Sequence, residues 1–201
     1  MRKRYLDSTK FAKTATSVDS QRKFEELAGF FRKYGDDYDL DYLLMAAQAY
    51  QESQLDHDRK SRVGAVGVMQ VMPATGREMQ VGDIRQLEPT IHAGVKYIRF
   101  MMDQYFQDEP MDRLDKELFT FASYDAGPGR LRQLRREAAK RGLDPNVWFG
   151  NVEQIVSERI GRETATSVSN IYKYYVADKL VTEERERRSV AKEALQSEAS
   201  E

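Results

Sequence analysis

Glu52 is the residue of this chain best placed for acid–base chemistry. It closes a segment in which Leu43, Ala46, Ala47 and Tyr50 recur every three to four residues, which predicts a helix with one buried face. A polar, glycine-containing stretch without helical period, residues 54–67, follows it and reads as a loop or short hairpin. Burial against such a helix and the negative end of the helix dipole both disfavour a carboxylate anion. A carboxyl kept protonated near neutral pH can donate to the leaving oxygen of a glycosidic bond. Position alone does not decide this, because a glutamate at a helix end is ordinarily a solvated surface group. The nearby Asp56 and Asp58 read as turn-forming loop residues, not as the second acid of a two-carboxylate glycosidase.

Other chemistries find less support. The 201 residues contain no cysteine, which excludes disulfides, thiolate metal sites and cysteine nucleophiles. His57 and His92 are far apart and lack ligand spacing with acidic residues, so no metal and no cofactor is expected. His92 reads as a helix-start residue. Arg130, Arg132, Arg135, Arg136, Lys140 and Arg141 lie on one segment and read as a solvated basic face. With a formal net charge of -1, the chain exerts no global pull on nucleic acid, and no nucleic-acid partner is expected. No apolar run approaches the ~18–20 residues that cross a bilayer, and residues 1–13 lack the apolar core of a signal peptide.

The elements that must position Glu52 are helices. Phe24, Leu27, Phe30 and Phe31 predict a helix over residues 19–33, with Asp19 or Ser20 as its cap and Gly35 as its stop. Asp39 or Asp41 would start the helix that carries Glu52. Pro73 predicts a short helix over residues 74–79. Pro89 precedes another over 90–107, with Ile91, Val95, Ile98 and Met102 on one face. Leu114, Leu118 and Phe121 mark a helix that should end in a turn over residues 125–129. Residues 131–141 and 163–180 read as further helices, with Trp148 in a linker between them. The methionines at 69, 72, 79, 101, 102 and 111 read mostly as core filling. The run 182–201, rich in Glu, Arg, Lys, Ser and Ala, reads as a solvated helical tail. The expected organisation is an N-terminal helical extension (1–35), one α-dominated domain (36–181) and that charged tail.

Five sequence blocks, in order, carry a family resemblance. They are Gln51-Glu52-Ser53; the run from Ser61 to Thr75 with Gly64, Gly67, Val68, Met69 and Gln70; Ile91 to Tyr97; Phe121 to Gly129 with Tyr124 and Asp125; and Glu163 to Ile171 with Val168. This set resembles the family 1 lytic transglycosylases, the soluble lytic transglycosylase domain related to goose-type lysozyme, and within it the membrane-bound transglycosylase F group. The resemblance covers about residues 38–175 and implies an all-α, lysozyme-like fold with an irregular excursion after the catalytic helix. It implies that Glu52 alone is catalytic and that Ser53, Ser61, Gly67, Met69, Gln70, Tyr124 and Asp125 contact substrate. The implied substrate is the peptidoglycan glycan strand, cut between N-acetylmuramic acid and N-acetylglucosamine. Glu52 would protonate the glycosidic oxygen while the substrate's N-acetyl group stabilises the cationic centre. The resulting carboxylate would then take the proton of the C6 hydroxyl as that oxygen attacks C1, leaving a 1,6-anhydro ring.

Two positions depart from the family pattern. Asp125 stands where the family has asparagine, replacing an amide donor by an acceptor that can carry charge. Ser167 stands where the family has tyrosine, removing a phenol near the acid. A hydrolytic muramidase on the same fold and a glycan-binding module without activity are the alternatives. The substrate implies a periplasmic or cell-envelope location, with any membrane attachment through a segment outside this chain. The sequence does not fix the oligomeric state.

Overall fold

The structure, a computed structural model, describes residues 18–198, with side chains through residue 192. The parts of the expected N-terminal extension and charged tail outside those limits lie outside the described residues. Helices dominate, and no sheet forms among the described residues, so the all-α expectation holds.

Helix α1 (Val18–Tyr38) buries Leu27, Phe31 and Tyr34 and runs past Gly35 instead of stopping there. A Cβ on Gly35 would sit 2.9 Å from the Leu40 carbonyl oxygen and 3.1 Å from the Tyr42 Cβ, so the glycine admits the returning chain. The reversal itself falls at Asp39, with φ of 50°.

Helix α2 (Tyr42–Ser53) starts at Asp41, whose side chain accepts a hydrogen bond from the Leu43 N–H at 3.0 Å. It is buried nearly all round, not along a single stripe: Leu44, Met45, Ala46, Ala47 and Ala49 are all inaccessible. Its alanines let neighbours approach closely, and α2 packs between α1 and the last helix, α8 (Arg162–Glu198). A helix so enclosed is a rigid carrier for whatever its end presents.

After α2 the chain makes turns tied by isolated antiparallel bridges, Lys60 with Val66 and Val66 with Val71, the expected short-hairpin character. Helices α3 (Pro73–Met79) and α4 (Leu87–Phe106) follow, with Pro73 at the first helical position of α3 and Pro89 inside the first turn of α4. Helix α5 (Arg113–Ala126) is capped by Asp112.

The turn expected over 125–129 is a single residue. Gly127, at φ of 82°, ends α5, and Pro128 opens α6 (Pro128–Lys140), so Asp125 is helical. Arg135 of the expected basic face turns inward and donates to the Pro145 carbonyl, Glu109 and Asn146.

Trp148 is not in a linker. It opens a wide π-type turn, Trp148–Val152, that leads into α7 (Glu153–Arg159). Its ring is fully buried edge-on to Phe119 at 5.5 Å, and its backbone N–H donates to the Asp115 carboxylate at 2.9 Å. Of the methionines, Met72 is exposed rather than core. The expected tail is continuous with α8, and Arg185 reaches back to Glu25 at 2.5 Å and Gln21 at 3.0 Å on α1.

Candidate active site

Glu52 occupies the last turn of α2, and the excursion that follows is buttoned onto that turn. The Ser53 hydroxyl, buried, reaches the Val68 carbonyl at 2.8 Å and the Ala49 carbonyl at 3.2 Å, and accepts from the Asp56 N–H at 3.2 Å. One hydroxyl thus ties the helix end to both limbs of the excursion. Gln70, left-handed at φ of 48°, spends its amide on the carbonyls of Gly67 at 2.9 Å and Arg59 at 3.1 Å. The Gly67 N–H donates to Arg59 as well, at 3.0 Å. Gly67 has φ of 74°, and a Cβ there would lie 2.8 Å from Thr90 Oγ1, so backbone sign and space both demand glycine.

Ser61 closes the hairpin tip by accepting from the Ala65 N–H at 3.0 Å. Met69 is fully buried under the excursion against α4, where a Cβ on Gly94 would come within 2.6 Å of it. The Met69 carbonyl accepts from the Tyr124 hydroxyl at 3.0 Å, and the Tyr124 ring meets Tyr97 edge-on at 5.7 Å.

The expected site residues therefore separate into two groups. Glu52 and Asp125 line one open cavity of about 640 Å³, together with Gln51, Arg162, Glu163 and Ser167 among others. Ser53, Ser61, Gly67, Met69 and Gln70 hold together the excursion that follows Glu52, and Tyr124 clamps α5 to it. Gln48 and Arg59 complete the immediate surroundings of Glu52 and were not expected from sequence. The i to i+4 spacing of Gln48 and Glu52 on one helix is a legible signal for the first. Nothing local marks Arg59 or Arg162, whereas Glu163 opens the last of the five sequence blocks without a role being legible there.

The electrostatics favour a protonated Glu52. Burial raises its carboxyl to about 8, and the nearby Asp125 charge adds to the rise. The Arg59 charge and a 2.9 Å hydrogen bond from Gln48 oppose it. Asp125 is exposed to the open cavity, but partial desolvation by its walls raises the carboxyl to about 6, with nearby Ser167 opposing the rise and the Glu163 charge adding to it. Gln48 donates through Nε2, and its buried Oε1 has no partner. An amide that turns over presents that oxygen to a protonated Glu52, so Gln48 can serve either protonation state.

Comparison with known proteins points the same way. The family model "Transglycosylase SLT domain" matches residues 29–146. The chain is similar to the membrane-bound lytic murein transglycosylase F of Pseudomonas fluorescens, at 30% identity over 85% of this chain and 36% of that protein. It is similar also to the transglycosylase F of Desulfosudis oleivorans, at 34% identity over 72% of this chain and 30% of that protein. The chain thus spans about a third of the length of these relatives. Among solved structures, the 70 kDa soluble lytic transglycosylase of Escherichia coli aligns with a TM-score of 0.60 at 25% identity, covering 77% of this chain and 24% of that one. The likeness bears out the lysozyme-like helical fold.

Proposed function

The chain belongs to the transglycosylase SLT domain family, and on that premise we propose that it is a peptidoglycan lytic transglycosylase with Glu52 as its single acid and base. The observation that carries the proposal is a glutamate at the end of a buried helix, lining a cavity of about 640 Å³, where burial pushes its carboxyl up to about 8 and so favours the protonated form. In that state Glu52 donates its proton to the oxygen linking N-acetylmuramic acid to N-acetylglucosamine, and the C1–O bond breaks. The carboxylate left behind accepts the proton of the muramic C6 hydroxyl as O6 bonds to C1. The products are an N-acetylglucosamine end and a 1,6-anhydro-muramic end, with no water consumed and Glu52 reprotonated. Glu52 lies in the last turn of a helix enclosed on nearly all sides, which fixes it against the substrate.

Catalysis is assigned to residues 36–181, in the cell envelope where the substrate lies. Ser53, Ser61, Gly67, Met69 and Gln70 act by shaping the excursion, Tyr124 by holding α5 against it, and Asp125 by facing the glycan.

One observation favours a second reading: Asp125 places another carboxylate in the same cavity, and a second carboxylate can direct water to C1 and give hydrolysis. Mass spectrometry of purified peptidoglycan digested by the chain and by Glu52→Gln decides between them. Anhydro-muropeptides from the wild type, with Glu52→Gln reduced by roughly 10²–10⁴-fold, support the transglycosylase. Products one water heavier mean a muramidase, and glycan binding without any product means that neither reaction occurs.

A further inference from the structure

Gln48 sits one turn before Glu52 on α2, among the buried apolar residues Met45, Ala46, Ala47 and Ala49, and is itself only 1% exposed. Its Nε2 donates to Glu52 Oε1 at 2.9 Å, and among the described residues nothing donates to its buried Oε1. Buried amide groups are as a rule all hydrogen-bonded, and one left unbonded costs stability. An apolar side chain of similar volume, such as methionine, would fill this space without that cost. Packing therefore does not account for an amide at this position. What the amide adds is its hydrogen bond to Glu52.

A carboxyl has two equivalent oxygens and turns easily about its last bond. The Gln48 donor removes both freedoms. Oε1 accepts the amide N–H and is held toward the helix, so the proton of the acid form resides on Oε2. With the amide turned over, a protonated Glu52 would instead give its proton to Gln48 Oε1, within the packing of α2 and out of a glycan's reach.

We propose that Gln48 is a positioning residue for Glu52: by donating to Oε1 it makes Oε2 the one oxygen that gives a proton to the glycosidic oxygen and takes the next from the C6 hydroxyl. This role rests on the reaction proposed above. In the acid step the O–H bond at Oε2 breaks as the glycosidic oxygen gains the proton. In the base step Oε2 regains a proton from O6, and the bond from Gln48 to Oε1 persists through both, stronger while Glu52 is an anion.

No other neighbour among the described residues supplies such a hold. Arg59 of the excursion acts on Glu52 through its charge. The Tyr124 hydroxyl of α5 is spent on the Met69 carbonyl. Asp125, Arg162 and Glu163 line the cavity around Glu52 without a hydrogen bond to it.

The test compares the full chain as wild type, Gln48→Met, Gln48→Leu and Glu52→Gln. It uses initial rates of glycan cleavage against glycan concentration, thermal melts and carboxyl ¹³C NMR titration. Both Gln48 variants should melt no lower than the wild type, keep KM and lose kcat by roughly tenfold or more. Their Glu52 midpoint should rise by roughly half a pH unit or more, because the anion has lost a donor. An unchanged kcat, a loss carried by KM or an unmoved Glu52 midpoint overturns the role. Lower melting of both variants overturns it too, by making Gln48 structural. Full activity in Glu52→Gln sinks the proposed reaction, and the titration still shows whether Gln48 holds Glu52. An inactive Glu52→Gln beside unimpaired Gln48 variants removes the positioning role alone.

Discussion

At Glu52 the direction of the proton equilibrium fixes how stability depends on pH. Its folded-state carboxyl is raised from 4.5 to about 8, so the folded chain holds a proton that the unfolded chain releases. The stability this contributes is fully present below about pH 4.5 and is lost as pH rises through about 8. Glu52→Gln cannot ionise and escapes that loss. We expect its melting temperature to gain on the wild type between pH 5 and pH 9, by on the order of 5 °C. Parallel melting curves across that range would mean that Glu52 is not held protonated. Burial acts in the same sense on Asp178, raised to about 7, and on Glu117, also about 7, where the Arg113 charge opposes it. The wild type should therefore weaken as pH rises through neutrality.

At the scale of elements, the excursion is where geometry is least forgiving. Gly94 lies inside α4, where alanine ordinarily favours a helix by roughly 1 kcal/mol. Here a Cβ would come within 2.6 Å of Met69 Cβ. Gly94→Ala should therefore destabilise the chain by about 1–3 kcal/mol, the reverse of its helix preference. Because Met69 is the floor of the excursion and its carbonyl holds Tyr124, the same variant should lose activity out of proportion to its lost stability. Urea unfolding beside muropeptide release measures both. Stability gained by Gly94→Ala would show that the contact between α4 and the excursion is loose. Gly35 was legible as special but misread: the sequence shows a glycine near a helix end, and only the fold shows that Leu40 and Tyr42 press against it.

At the scale of the molecule, the distal half of α8 leaves the core. Val181 and Thr182 are half-buried, whereas residues from 184 onward are exposed where described. The ties back to α1, Arg185 to Glu25 and Gln21, are half-exposed, and such pairs contribute at most about 1 kcal/mol. Removing residues 184–201 should shift the melting temperature by no more than about 4 °C and leave glycan cleavage intact. A collapse of either on truncation would give the distal helix a structural role that its exposure does not suggest.

The sequence by itself determined the helical class and the helix that carries Glu52, because these are local: a spacing of three to four, an aspartate cap at Asp39 or Asp41 and an irregular stretch beginning with glutamine; the fold chose Asp41. The ordered motif blocks added the family. Helix α7 escaped because residues 153–159 are too short for a periodic signal, and the single-glycine hinge at Gly127 because a glycine–proline pair reads equally as a longer turn. Tertiary structure alone decided what surrounds Glu52. Arg59, Asp125 and Ser167 arrive from three separate segments, and a carboxyl's proton affinity depends on distance through a desolvated cavity, not on separation along the chain. The same structure showed that Ser53, Met69 and Gln70 spend their polar or apolar groups on holding the excursion in place, a role that residue type does not reveal.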